Sequence, residues 1–232
     1  MKKLLLAAAM VMSGSIANAA DMPVKAAPYA PVPVVNWTGF YVGGEAGYVW
    51  GRTDSVLSLT GTTVTANPDG WVVGLFGGYD WQLPNNFVIG ARIAAPVWSN
   101  ADDTISDPAL AGVSYEGRFR WAVLGTAQFG YAFGNLQPYV GVGVAFGEGR
   151  VTVNNPFFAP AATSVSDDQT HVGLVLNAGV KYMFARNWFA GLHYTHIEWQ
   201  DKTYTLVTPF TTFAASIGAS SDSLVATLGY KF

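Results

Sequence analysis

The sequence contains no cysteine and unusually little charge. The absence of cysteine excludes disulfide bonds, thiolate metal ligands, cysteine nucleophiles and a lipidated N-terminal cysteine. Charged residues make up 12% of the chain, where a soluble globular domain has roughly 25%. Half of the 232 residues are hydrophobic, 26 are glycine and 12 are proline, so neither disorder nor a collagen-like repeat fits the composition. We therefore expect a folded chain with an unusually apolar exterior.

The first residues have the pattern of an export signal. Two lysines precede an apolar run at 4–12, and the Ala-Asn-Ala sequence at 17–19 has the small-x-small spacing that signal peptidase cleaves. The apolar run is far shorter than the ~20 residues of a spanning helix. We expect residues 1–19 to be removed as a signal peptide, which leaves Ala20 first and ten basic against fifteen acidic residues. This negative balance argues against nucleic acid as a partner.

A long uncharged segment has the period of a strand and not of a helix. From Trp121 to Gly147 no residue is Asp, Glu, Lys or Arg, which a hydropathy window would report as a membrane helix. Every odd position from Tyr115 to Phe133 is apolar, aromatic or glycine, whereas the even positions are mostly polar or small. A period of two predicts a β-strand with one apolar face. The alternation restarts after Gly134, which predicts a hairpin.

The same alternation recurs in eight segments joined by connections of two lengths. The predicted strands lie within 37–50, 70–82, 87–97, 115–133, 136–146, 171–184, 188–199 and 224–232. Short turns are expected at 83–86, 134–135 and 185–187, and long loops at 51–69, 98–113, 150–169 and 201–222. Short turns on one rim and long loops on the other are typical of outer-membrane barrels. We predict an all-β, eight-stranded antiparallel up-and-down transmembrane barrel over 37–232, with periplasmic termini.

The apolar faces of these strands are expected to point outward. A soluble lipocalin-like barrel also alternates, with its apolar residues inside. Roughly 40 apolar side chains, many of them aromatic, cannot fit inside eight strands, whereas the opposite faces are rich in glycine and alanine. Aromatic residues near the strand ends would then form two girdles at the bilayer interfaces; they are Trp37, Trp50, Trp71, Trp81, Trp98, Tyr131, Phe133, Trp188 and Phe232.

Two motifs carry a family resemblance that covers the whole mature chain. The sequence Trp-Thr-Gly-Phe-Tyr-Val-Gly-Gly at 37–44, after a proline-rich stretch, and the ending Gly-Tyr-Lys-Phe at 229–232 resemble the outer-membrane immunogenic proteins. These are small OmpA-like barrels of the alphaproteobacterial outer membrane, often grouped as a porin family. The alternating Leu228, Tyr230 and Phe232 look like the signal that the outer-membrane assembly machinery reads.

Nine charged or titratable residues fall on the inward face of the predicted strands. They are Glu45, Asp80, Arg92, Glu116, Arg118, Arg120, Lys181, His193 and Lys231. Charges in a narrow lumen need partners, so opposite charges at matching heights predict a salt-bridge network that plugs the barrel. The alternative is a narrow, selective pore lined by Arg92, Arg118 and Arg120.

The sequence shows no catalytic or metal-binding constellation. His193 and His196 are three residues apart, which places them on opposite faces of a strand, and no Ser-His-acid set is apparent. We therefore predict no enzymatic activity, no metal and no cofactor. A minor alternative is haem binding through His171 and His196, the histidines nearest the outer rim.

The remaining segments suggest partners in the envelope. The long loops are acidic, so contact with lipopolysaccharide would need bridging divalent cations. Residues 20–36 are proline-rich and predict an extended periplasmic tether, either a passive linker or a segment joined to peptidoglycan through the amine of Ala20. We expect a structural or interaction barrel that contributes to envelope integrity and surface recognition, with a narrow diffusion channel as the alternative.

Overall fold

The structure is a computed structural model that describes residues 35–232 except 58–62, 102, 107–113, 155–163 and 208–211. Next to these gaps the backbone of some strands is described without their side chains, as at Glu116, Arg118 and Arg120. The predicted signal peptide, most of the predicted tether and Ala20 lie outside the described residues. In the part of the chain that is described, no helix is long and apolar enough to cross a membrane.

Eight long antiparallel strands close into a barrel. Within the described residues the strands are β1 (Gly39–Leu57), β2 (Thr63–Ala66), β3 (Asp69–Gln82), β4 (Phe87–Ser99), β5 (Asp103–Ser106), β6 (Ser114–Tyr131), β7 (Leu136–Asn154), β8 (Ser164–Met183), β9 (Trp188–Val207) and β10 (Thr212–Lys231). The long strands pair in chain order, and β10 pairs with β1. The short β2 and β5 pair only with the upper ends of β1 and β6. The predicted all-β, eight-stranded up-and-down barrel is confirmed.

The strand register fixes the width of the barrel. A row of paired residues that starts at Gly39 of β1 and crosses each neighbouring strand in turn returns to β1 at Val49, ten residues further along. This shear tilts the strands against the barrel axis, and eight tilted strands enclose a space just wide enough for side chains. The interior therefore has room for packed residues and little else.

The outer wall is apolar and the inner wall is polar or small, as the alternation predicts. On β8 the side chains of Leu174, Leu176 and Tyr182 are about half exposed, whereas those of Asn177 and Lys181 are buried. The same alternation holds along the lower halves of the other long strands. Lipid-facing residues on such a wall need no protein partner, because the acyl chains cover them.

The two rims differ as expected, but the strands are longer than predicted. The short-turn rim carries the connections 83–86, 132–135 and 184–187, in which Asn86 and Gly134 have φ near +65° and +61°. Much of the sequence predicted as long loops continues as strand; β1 reaches Leu57 and β9 reaches Val207. These extensions were missed because charged residues such as Arg52, Asp54 and Lys202 interrupt the apolar alternation, while β-branched threonine and valine still favour strand geometry.

Glycine on the inner wall makes room for large side chains of the neighbouring strand. The ring of Tyr41 lies over Gly78, and that of Tyr139 lies over Gly179. A Cβ atom at either glycine would collide with the tyrosine above it. The narrow interior therefore requires glycine at these positions on the inner wall.

Gly47 provides a direct test of this packing at the closing seam. A Cβ atom there would collide with the carbonyl oxygen of Leu224 on β10, so we expect Gly47→Val to destabilise the barrel by about 1–3 kcal/mol. Gly44→Val is the matched control, because Gly44 lies on the outer wall of the same strand with its nearest neighbour 3.9 Å from the added atom. Urea titration of the folded fraction in lipid vesicles measures the free energy of unfolding of both variants. An equal loss of stability in the two variants would contradict the role given to glycine on the inner wall.

Candidate functional site

The lumen consists of a charged layer between two apolar clusters. Along β9 from the short-turn rim, the buried side chains are Phe189, His193, Thr195, Ile197 and Trp199. The lower cluster, here called the floor, comprises Trp37, Tyr41, Phe76, Val88, Ala94, Ala132, Met183 and Phe189. The upper cluster, here called the cap, comprises Ala145, Val175, Ile197 and Trp199, with Leu124 and Ala219 packed against it.

Two ion pairs cross the charged layer. Lys181 Nζ lies 2.7 Å from Asp80 Oδ2, and both side chains are at most 4% exposed. Arg92 of β4 forms the second pair with Glu45 of β1, also well buried. Asp80 is the last buried residue of β3, and Lys181 lies one inward position above Met183, the last buried residue of β8. Both charges therefore lie near the short-turn rim and face each other across the lumen. Each of these buried charges among the described residues therefore has an opposite charge in direct contact.

His193 links the Arg92 pair to a tyrosine. Arg92 Nη1 lies 3.2 Å from His193 Nε2, and Tyr139 Oη lies 2.6 Å from His193 Nδ1. Because arginine can only donate, Nε2 must accept, which makes His193 a neutral imidazole with its proton on Nδ1. A neutral histidine adds no further positive charge beside Arg92. His193 thus joins Arg92 and Tyr139 in one set of contacts within the charged layer.

Aromatic rings complete the surroundings of the two cations. Lys181 Nζ lies 4.5 Å from the ring centre of Tyr41 and 5.0 Å from that of Tyr139, and the Arg92 guanidinium lies 4.6 Å from the ring centre of Phe76. Such contacts favour a desolvated cation. These rings were not among the predicted site residues. Their position on the small-residue face of the alternation was the signal that could have identified them.

The structure brings five of the nine predicted lumen residues together: Glu45, Asp80, Arg92, Lys181 and His193. Lys231 lies half-buried at the short-turn rim, outside these contacts.

The three lumen residues predicted on β6 stand apart. The side chains of Glu116, Arg118 and Arg120 lie outside the described part of the chain. The backbone shows a register shift between Phe119 and Trp121. The uninterrupted alternation from which their inward direction was predicted therefore breaks at Arg120.

Trp37 was predicted in a lipid-facing girdle, and this was wrong. Its side chain is only 1% exposed and lies in the floor, where the indole Nε1 donates to the carbonyl oxygen of Gly134 at 3.0 Å. The prediction failed because β1 begins only at Gly39, so the strand period does not extend to residue 37. The chain instead turns under the barrel mouth.

The remaining candidate residues lie on separate surfaces. His171 is buried beside Trp199, whereas His196 lies on the outer wall with Asp222 Oδ1 at 2.8 Å and Glu198 Oε2 at 3.6 Å. Among the described residues, no group of three or more His, Cys, Asp or Glu side chains could hold a metal ion.

The predicted assembly signal lies on the outer wall of β10 and just beyond its end. Leu228 and Phe232 are exposed there, and the Tyr230 ring packs edge-on against Trp188 at 5.3 Å. Recognition of these residues by the assembly machinery stays a prediction.

Comparison with known proteins decides the family. A family model described as an outer membrane protein beta-barrel domain matches residues 6–232. The chain belongs to this family. It is 33% identical over 214 residues to the 31 kDa outer-membrane immunogenic protein of Brucella melitensis, covering 85% of this chain and 87% of that protein. It is 26% identical over 235 residues to the 25 kDa outer-membrane immunogenic protein of Brucella abortus, covering 98% and 96%.

A solved structure shares the fold. The outer membrane protein OprG from Pseudomonas aeruginosa superposes with a TM-score of 0.59 at 13% identity, covering 85% of this chain and 98% of that chain. The expected resemblance to outer-membrane immunogenic proteins is thus confirmed, and the outer membrane is the location of this family. The apolar outer wall accordingly faces lipid.

The Lys181–Asp80 pair allows a test of the charged layer. Lys181→Met leaves an unpaired buried carboxylate, so we expect a loss of about 3–5 kcal/mol in the free energy of unfolding. In the double variant Asp80→Asn, Lys181→Met no buried charge lacks a partner, and most of that loss should be recovered. Lys231→Met, at the half-buried rim, should change stability by less than about 1 kcal/mol. Additive losses in the double variant would show that the two residues are not coupled.

Proposed function

We propose that the protein is a structural and interaction barrel of the outer membrane, which contributes to envelope integrity and surface recognition. The single observation that carries this proposal is the filled lumen, in which a charged layer lies between an apolar floor and an apolar cap. A barrel filled by its own side chains adds a rigid body to the membrane without adding a path for solutes. Function then lies on its surfaces.

The long-loop rim supports the interaction role. Above the upper aromatic residues, Asp54 of β1 accepts hydrogen bonds from Thr65 at 2.6 Å and from Arg52 at 3.1 Å, and these bonds lower the pKa of its carboxyl group. Asp201 is exposed at the same rim. Ionised carboxylates would repel lipopolysaccharide phosphates directly, so we infer contact through bridging divalent cations.

The orientation of the barrel follows from its rims. In outer-membrane barrels the short turns face the periplasm and the longer connections face outward. We therefore infer that Val35 and Phe232, both at the short-turn rim, face the periplasm. A tether at 20–36 would then extend toward peptidoglycan, and attachment through Ala20 stays a prediction.

The alternatives receive less support. A diffusion channel needs a continuous polar path, whereas Trp199 and Ile197 lie across the upper lumen and Trp37 and Phe189 across the lower. Haem binding through His171 and His196 would need both at one surface, but one is buried inside and the other lies on the outer wall. Names of the relatives describe immunogenic outer-membrane proteins, which agrees with a non-enzymatic role.

Conductance of the purified protein in planar bilayers tests the proposal. We expect no steady single-channel conductance, because neither the floor nor the cap leaves a polar path. Charge reversal by Arg120→Glu should leave this baseline unchanged, whereas in a pore lined by arginine it would shift ion selectivity from anions toward cations. A large, steady monomer conductance that responds to this substitution would overturn the proposal in favour of the channel.

A further inference from the structure

Trp37 closes the lower mouth of the barrel without being part of its wall. The strand pairing of β1 begins at Gly39, two residues later, so Trp37 takes no part in the sheet. Its indole nevertheless reaches across the mouth to the β6–β7 turn, where it bonds Gly134, and its ring packs edge-on against Phe189 at 6.4 Å. One side chain from outside the sheet thus spans the opening.

Hydrogen bonds hold Trp37 to the end of β3 and to the β6–β7 turn. Its backbone N–H donates to Gln82 Oε1 at 2.8 Å, and the N–H of Gln82 donates to Thr38 Oγ1 at 3.0 Å. Gly39 has φ of +147°, and a Cβ atom there would lie 2.8 Å from the carbonyl oxygen of Phe232. Trp37 and Thr38 precede Gly39, the first residue of β1 that pairs with β3, so they can move without breaking a strand pair.

Behind Trp37 the charged layer contains buried polar atoms that lack hydrogen-bond partners among the described residues. Both amide atoms of Gln128 and both of Asn177 are buried without a hydrogen bond among the described residues, as are Gln137 Oε1 and Asp80 Oδ1. Unsatisfied buried amides are rare and costly in native proteins, and they commonly mark sites of ordered water. These six atoms point to a hydrated chamber between floor and cap.

The two ends of this chamber are closed by different kinds of element. The cap residue Trp199 belongs to β9, pairs with Ala219 and Gly173, and is held by a bond from its Nε1 to Ser221 Oγ at 3.0 Å. Moving it would unpair two strands. Trp37 can leave its place while every strand pair stays intact.

We propose that Trp37 is a removable stopper for this chamber, which takes up water and small polar solutes from the short-turn side. The proposal rests on the closed lumen proposed above. It assigns the lower closure to residues 35–38, which precede β1, so that a movement of these residues opens the lower end of the lumen.

The absence of cysteine makes the test simple. Gln137 is the first inward residue of β7 and is buried above the floor, so Gln137→Cys places the only thiol of the chain inside the chamber. In lipid vesicles we expect this thiol to resist a small, charged methanethiosulfonate reagent. In the background Trp37→Ala its labelling rate should rise by about tenfold or more, because removing a large buried ring opens the mouth.

Two further variants make the outcome specific. Trp188→Ala removes a tryptophan that is 44% exposed on the outer wall near the same rim, and it should leave the labelling rate unchanged. Gln82→Ala removes the acceptor of the Trp37 backbone N–H, together with the bond from Gln82 Nε2 to Asn86 Oδ1 in the adjoining turn. It should raise the rate several-fold even where Trp37→Ala does not fold. The difference in mobility between unheated and boiled samples on gels reports folding.

The possible results separate this proposal from the previous one. Folded Trp37→Ala and Gln82→Ala proteins that both label as slowly as the parent would overturn the stopper and leave the closed lumen intact. Rapid labelling of Gln137→Cys alone, with Trp37 in place, would overturn both proposals.

Discussion

The interior of this barrel is narrow because eight strands close with a shear of ten residues, and the other features of the lumen follow from that width. A ring of paired residues returns to β1 at Val49 after starting at Gly39. Large side chains fit inside only where the neighbouring strand carries glycine, as Gly78 does beneath Tyr41. A wider barrel would admit a continuous column of bulk water, and its inner charges would need no partners.

Charged side chains in such a narrow interior are stabilised by direct contact with opposite charges and not by bulk water. Asp80 and Lys181 neutralise each other, and Arg92 is neutralised by Glu45 while His193 stays uncharged. Buried ion pairs contribute little net stability compared with apolar residues, but losing one partner is costly. The charged layer therefore fixes which strands face one another across the lumen and disfavours alternative packings, while the floor and cap keep bulk water away from it.

Much of this architecture could be predicted from the sequence, because lipid on one side and a packed lumen on the other impose a strict period of two. The strand β8 shows this most clearly, with Leu174 and Leu176 outside and Lys181 inside. The period could not give the position of Trp37, which lies before the first strand, nor that of Arg120, which lies at a register shift. Opposite charges at matching heights were predicted to pair, but the individual partners and the aromatic rings beside them depend on three-dimensional register.

The central claim is that the outer wall faces lipid and the inner wall faces packed side chains, with no continuous water between. Single cysteines introduced one at a time along β8 from Val172 to Met183 in the cysteine-free chain test it directly. With a water-soluble thiol reagent and a lipid-soluble environment-sensitive one in vesicles, the account predicts that even-numbered positions report lipid and odd-numbered positions react with neither. Rapid reaction of the odd-numbered positions with the water-soluble reagent would reveal a hydrated pore and contradict the account.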